Sequence, residues 1–323
     1  MSELFQLSGI LKIVYPIELG KIEDYTAWEK LMHGIFYSKL RIDPSNAFIL
    51  FLKEPYWSRT QIFKIEEILF ETFNAAGIGF IETTQMLPYC GVNKCIFGSI
   101  GAEVSMFTAV DDGRPFNWEL YDIGGNDVLR YFQHLLKKRH PELNVKMSDL
   151  PNYEAFQRDF FYLSMDIQKD LKQSERCVFF KRKIPLWNDS YEVDVERFQA
   201  PEVLFDHKII KKELDVNSIT EMIKTQYESI EEGDPDDFIK KIVLCGGTAA
   251  IPNLELRLRR ELPKLIKNID MNNIEIMIPP QPDSFLVKTA NKNLDQLLQA
   301  KNNRMLFMTK LQYEDHGPEG IGI

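Results

Sequence analysis

The sequence predicts an α/β protein with two lobes, and three observations predict it. Short apolar runs alternate with amphipathic segments of helical spacing along the chain: AFILFL (47–52), then Ile62, Ile65, Ile68, Leu69 and Phe73, then Gly77 to Glu82. Glycine pairs open two of the helical segments, at Gly124-Gly125 and Gly246-Gly247. The length, 323 residues, exceeds what one core organises, since single cores stop growing near ~250–300 residues.

Each element has its own signal. Ile10 to Tyr15 alternates as a strand, Pro16 ends it and Gly20 marks a turn. Asp24 caps a helix carrying Trp28, Leu31, Met32 and Ile35 on one face. Asn46 to Lys53 reads as a buried strand, Ser58 to Phe73 as an amphipathic helix and Gly77 to Glu82 as a short strand. CIFGSIG (95–101) and VSMFTAV (104–110) are strands, followed by the turn Asp111-Asp112-Gly113. Gly124 to Asp127 opens a helix through Tyr131 and Leu135. Tyr153 to Lys172 is helical in part, and a charged, less regular stretch runs to Arg197. Lys240 to Leu244 is a strand, Leu254 to Leu262 a helix and Ile274 to Ile278 a strand. Helices over Asn293 to Lys301 and Phe307 to Tyr313 close the chain, and ESIEEGDPDD (228–237) reads as an exposed acidic loop.

Composition narrows the function classes. Hydrophobic residues at 44% and charged residues at 27% are ordinary for a soluble globular protein. No stretch approaches the ~18 consecutive apolar residues of a membrane span, and the first residues lack the basic and apolar blocks of a secretory signal. A net charge of −9 argues against sequence-independent binding to nucleic-acid phosphates. The basic clusters Lys137-Lys138-Arg139-His140, Lys181-Arg182-Lys183 and Lys208 with Lys211-Lys212 read as solvated faces near helix ends or turns. Cys90, Cys95, Cys177 and Cys245 lack the second pair or histidine cluster of a zinc site, so they read as free thiols and no metal site is expected.

Candidate chemistry concentrates in two glycine-bearing turns. LCGGTAAIPNLELRLRRELPKL (244–265) runs from a strand through Gly246 and Gly247 into a helix, where a nucleotide could approach the backbone. No Gly-Lys-Ser/Thr follows, so it is not a P-loop. GSIGAEV (98–104) sits between two strands as a phosphate-binding hairpin would, yet Glu103 is its only charged residue. A hydrolytic site needs carboxylates around Mg²⁺ and a group that positions the attacking water. No nucleophile elbow or His-Glu-x-x-His is present, so no catalytic residue is assigned.

Taken together, these segments resemble the actin family. The resemblance is carried in order by Gly9 to Pro44, Glu54-Pro55 with IEEILFETFN (65–74), ERFQAPEVLF (196–205), VLCGGTAAIPNLELRLRREL (243–262) and YEDHGPEGI (313–321). It thins between Asn144 and Glu192. It implies an actin-like fold of duplicated ribonuclease-H-like lobes. Residues 1–91 form the remainder of the first lobe, 92–285 the second lobe, and 286–323 return to the first.

The departures from the family pattern shape the functional expectation. The family's opening hairpin, with its first phosphate loop and lysine, should precede Gly9, so the first lobe reads as N-terminally incomplete. Its loss would leave a sheet edge and apolar surface for a partner to cover. In the second phosphate loop the two aspartates fall on Ser99 and Ala102, a glycine on Glu103 and the histidine on Met106. The water-positioning glutamine falls on Thr83, another histidine on Leu19, an adenine-side aromatic on Ile251 and a lysine on Asp283. The retained positions are Gly101, Gly125, Asp127, Lys172, Gly246, Gly247 and Thr248. They imply at most residual ATP or ADP contacts, without efficient hydrolysis. A groove of Tyr89, Leu294, Leu297 and Leu306 matches the family's slot for partner helices.

The expectation is a non-catalytic scaffold or adaptor subunit of a cytoskeletal, actin- or dynactin-like assembly. It would be cytoplasmic, bound to protein partners and not to nucleic acid or membrane. The alternatives are a nuclear actin-related subunit of a chromatin-remodelling complex, and an ATP-binding, filament-forming actin homologue whose N-terminus is not represented.

Overall fold

Two main sheets organise the chain, one in each of two compact units. The computed structural model describes residues 14–142, 159–177, 180–186, 189–210, 218–267, 269–300 and 306–317. In chain order the first elements are the small hairpin β1 (Ile17–Glu18) and β2 (Lys21–Ile22), α1 (Tyr25–His33), β3 (Phe48–Lys53), α2 (Arg59–Glu67) and β4 (Gly77–Glu82). Then come β5 (Lys94–Ile100), β6 (Ser105–Asp111), β7 (Arg114–Tyr121), α3 (Gly125–Arg139), α4 (Ile167–Ser174), β8 (Arg182–Leu186), β9 (Asp189–Val193) and α5 (Glu196–Gln199). The chain closes with α6 (Ile219–Glu228), α7 (Pro235–Ile239), β10 (Lys241–Cys245), α8 (Leu254–Leu265), β11 (Glu275–Met277), α9 (Phe285–Lys292), α10 (Leu294–Ala300), β12 (Met308–Thr309) and α11 (Lys310–His316).

One unit takes in residues 14–93 and 286–317, with the turn Asp112–Pro115. Its helices start where capping chemistry says they should. The Asp24 carboxylate accepts from the Ala27 N–H at 2.8 Å, and the Ser58 hydroxyl accepts from the Gln61 N–H at 3.2 Å. Both α1 and α2 pass into wider π-type turns, Gly34–Leu40 and Ile68–Thr72. The wider turn puts three consecutive residues, Ile68, Leu69 and Phe70, into the core, which a straight helix would not do. Trp28, Met32, Phe36, Ile65 and Ile78 join them.

The sheet of this unit has the order β12-β4-β3. β3 runs parallel to β4, with Phe48 opposite Gly77 and Leu50 opposite Gly79. Ile49 and Phe51 pack on the helical core, and Phe51 stacks on Phe80 with centroids 5.5 Å apart. Phe48, Leu50 and Leu52 therefore point to the other face. The two glycines make that face possible: a Cβ on Gly77 would lie 2.5 Å from the Phe48 ring, and one on Gly79 would lie 2.5 Å from the Leu306 carbonyl oxygen.

The other unit holds Lys94–Asp111 and Phe116–Phe285. Its sheet has the order β11-β10-β5-β6-β7. β10 runs parallel to both neighbours, with Leu244 beside Gly98 and Cys245 beside Ser99, and β5 and β6 form an antiparallel hairpin. Ile96, Phe107, Ile242 and Leu244 of these strands share one core with Leu129 and Phe132 of α3, Met222 of α6 and Leu258 of α8.

Several sequence expectations need correction. The irregular stretch before Arg197 contains the β8–β9 hairpin, whose charged residues mask its alternation. The acidic segment does not stay a loop to its end. Asp234 caps α7 by accepting from the Asp236 N–H at 3.0 Å, and carboxylates suit a helix N-terminus. α8 continues through Pro263, and the helical bond Ile266 N–H to Leu262 C=O, 2.9 Å, survives. The final helix begins at Lys310 because Met308–Thr309 pairs with β4 first. Val14 and Tyr15 are exposed and not in a strand, and the rest of that expected strand lies outside the described residues.

Candidate functional site

Six of the expected nucleotide-side residues are drawn together where β5 and β10 end. The β5–β6 hairpin turns over Gly101, whose N–H donates to the Val104 carbonyl at 2.9 Å. The Gly101 carbonyl accepts from the Thr248 hydroxyl at 2.7 Å and from the Gly125 N–H at 3.0 Å. Next to it, the Ala102 carbonyl accepts from the Asn126 N–H at 2.6 Å. The first turn of α3 is thus closed onto the hairpin. Its N–H groups, which would otherwise face an anion, donate to hairpin carbonyls instead.

Asp127 completes that closure. Its side chain is buried, its Oδ2 accepts from the Gly124 N–H at 3.0 Å, and its Oδ1 lies 3.4 Å from Arg130. The carboxylate caps its own helix from the third position. Gly246 holds the other side. Its φ of +88° with ψ of 154° belongs to glycine, and a Cβ there would lie 2.3 Å from the Ile100 carbonyl oxygen. Its N–H donates to the Pro282 carbonyl at 3.0 Å. Gly247 differs: a Cβ there would meet nothing within 4 Å, so the space over it is open.

The remaining expected residues fall elsewhere. Lys172 is exposed on α4 and lines an open cleft of about 930 Å³ with Lys169, Gln173, Arg176, Cys177 and Phe180. No hydrogen bond or ion pair joins it to the Gly101–Thr248 cluster among the described residues. Ile251 and Met106 are buried in the core, Ser99 is half-buried and Asp283 is exposed. In the other unit, Leu19 is exposed, and the Thr83 hydroxyl donates to Glu54 at 2.8 Å beside the Lys53–Glu82 ion pair of 2.7 Å. Among the described residues, no group of three or more His, Cys, Asp or Glu is placed to hold a metal ion.

The unit of β3 and β4 carries its own candidate surface, an apolar cleft of about 580 Å³. Phe48, Leu50 and Leu52 of β3 form its floor, and Leu294 and Leu298 of α10 face them with Phe307. The rings of Phe48 and Phe307 meet edge to face at 5.3 Å. Of the expected groove residues, Leu294 lines this cleft and is 40% exposed. Leu297 is buried, Leu306 is half-buried with its carbonyl over Gly79, and Tyr89 is half-buried in the turn Pro88–Cys90, outside the cleft lining. Sequence reasoning missed Phe48, Leu298 and Phe307. The available signal was the unbroken run FILFLK, apolar on both faces of a strand.

A model of the actin family matches residues 3–178 and 153–321, which together span nearly the whole chain. The chain belongs to the actin family. It is 25% identical to actin-related protein 2 of Acanthamoeba castellanii over 333 aligned positions, covering 98% of this chain and 84% of that protein. The actin-like fold follows from that membership, and the mixed sheets and helices agree with it. This actin-related chain turns at Gly101 and at Gly246. In it the hairpin carries Ser99 and Ala102, and the α3 start is tied down by backbone.

Proposed function

We propose that this actin-related protein is a non-catalytic scaffold or adaptor subunit of a cytoskeletal assembly. The observation that carries the reading is the closed cluster at the end of β5 and β10. Two carbonyls of the hairpin accept from the first two N–H groups of α3, and among the described residues the one carboxylate buried there is the capping Asp127. That arrangement does not fit a triphosphate with its Mg²⁺, which needs free donors and carboxylates aimed at bound water. Each transition-state group absent from a hydrolytic site costs orders of magnitude in rate. The open space over Gly247 supports residual contact with ATP or ADP at most, with Lys172 outside the cluster.

The apolar cleft supports the scaffold half of the reading. Its floor is an edge strand among the described residues, and its walls present leucine and phenylalanine to solvent. An amphipathic helix of a protein partner matches that chemistry. Under this reading the unit of residues 94–285 is the family's second lobe, and 286–317 complete the first. The protein would work in the cytoplasm, beside actin-type subunits.

The test is purification of the native full-length protein with mass and turnover measured together. A hetero-oligomer without Mg²⁺-dependent ATP turnover is expected. A lone monomer overturns the assembly, and turnover abolished by altering Gly247 overturns the non-catalytic assignment. Fractionation of the same complex with nuclei would favour the chromatin-remodelling alternative.

A further inference from the structure

Two basic clusters that lie more than forty residues apart in sequence meet on one surface of the unit of residues 94–285. The last turn of α3 carries Lys137, Lys138 and Arg139, and His140 follows as its cap. The β8–β9 ribbon meets the end of that helix, with Lys181 and Lys183 on one face and Arg182 on the other. Arg182 pairs with Val193 and Lys183 with Glu192. His140 Nε2 sits 3.1 Å from the Glu192 carbonyl, and its ring meets Tyr191 edge to face at 5.6 Å. Arg139 reaches the same strand end, 2.7 Å from Glu196 and 3.6 Å from Asp194.

The charge balance on this surface opposes that of the whole chain. Lys137, Lys138, Lys181 and Lys183 are all exposed, in a protein of net charge −9. The Glu192 carboxylate is held below the usual carboxylate range, first by its hydrogen bond from Lys181 and then by the charges of Lys181, Arg139 and Lys183. Asp194 and Glu196 are buried against Arg139, and Glu142 sits 3.4 Å from His140. Among the described residues, the four exposed lysines Lys137, Lys138, Lys181 and Lys183 outnumber the exposed carboxylates Glu142 and Glu192.

We propose that this surface docks an extended acidic peptide segment of a protein partner. The ribbon decides the form of the occupant. β8 and β9 pair only with each other among the described residues, so β8 is an edge strand there. Lys181 and Lys183 are two residues apart along this edge, a spacing of roughly 7 Å that alternate carboxylates of a second extended strand would match. The site is distinct from the apolar cleft and does not rest on the scaffold reading.

The experiment is fluorescence anisotropy of the full-length protein with a labelled peptide of alternating glutamate and valine, run against vesicles containing phosphatidylinositol bisphosphate. Binding of the peptide that weakens between low salt and 0.3 M salt is expected, since exposed charge pairs are screened over about 10 Å or less. The variant K137A/K138A/K181A/K183A loses roughly tenfold or more in affinity, and K137A/K138A alone loses less. K30A/K39A, which removes exposed lysines of the other unit, leaves the affinity unchanged. Circular dichroism melts confirm that each variant folds. The proposal is overturned if the parent does not bind the peptide at low salt, if the fourfold variant binds as the parent does, or if only the vesicles are bound.

Discussion

The cluster at the end of β5 and β10 and the cleft over β3 are built by opposite rules. In the cluster, polar main-chain groups converge and satisfy one another: Gly101 and Ala102 carbonyls accept from Gly125, Asn126 and Thr248. In the cleft, apolar side chains converge and leave a face open: Phe48, Leu294 and Leu298 are 58%, 40% and 42% exposed. A satisfied backbone knot favours rigidity and refuses ligands, whereas an open apolar face gains free energy when covered. The contrast teaches that one region of the chain is closed by its own backbone while another leaves apolar side chains open to solvent.

The strongest way to break the contrast is at its tightest glycine. Gly246→Ala forces a side chain into a glycine-only conformation and against the Ile100 carbonyl, and should destabilise the protein by about 3 kcal/mol or more in urea unfolding. Gly247→Ala, with open space above it, should stay within about 0.5 kcal/mol. Equal costs at the two positions would show that the knot is not closed as described.

The next effect tests the core beneath the open face. Glu66 is fully buried on α2, neither carboxylate oxygen has a hydrogen-bond partner among the described residues, and burial pushes its pKa up to about 7. A carboxyl raised in the folded state carries no charge penalty below its unfolded pKa. The penalty grows as pH rises towards the folded value and is constant above it. Glu66→Met should therefore stabilise the protein at pH 8 by about 1–3 kcal/mol more than at pH 4.5. A pH-independent difference between variant and parent melts would remove the buried charge from the account.

Thr248→Val removes one strut of the knot and leaves the Gly101 carbonyl with one donor. A loss of about 1 kcal/mol is expected in thermal melts. Smallest in stability is Leu294→Asp with Leu298→Asp, at roughly 0.5 kcal/mol or less, because both side chains already meet solvent. The same double change should abolish recovery of the proposed hetero-oligomer by size-exclusion chromatography. Retention of the complex would move the docking surface away from the cleft.

Local chemistry made much of the fold legible. Asp24 and Ser58 announced their helices, the apolar runs of β3 and β4 their strands, and the glycines at 101 and 246 their turns, because each signal depends on residues within a few positions. The cleft was half legible: Leu294 was expected, but Phe48 and Phe307 were not. Their exposure depends on Gly77 and Gly79 lying across the sheet, a cross-strand relation that periodicity cannot report. The fate of the Gly101–Thr248 turns was not legible either. Sequence places glycines beside a helix start, and only packing decides whether the donors face a ligand or a carbonyl.

By itself, then, the amino-acid sequence determined the α/β class and the actin-family pattern. Each is written in side-chain identity and short-range order. Tertiary structure alone decided three things: that the α3 start is sealed by the hairpin, that β3 keeps an open apolar face, and that the end of α3 at Arg139 and His140 meets the β8–β9 ribbon. Each depends on strand register, which brings distant residues within a few ångströms without leaving a local trace.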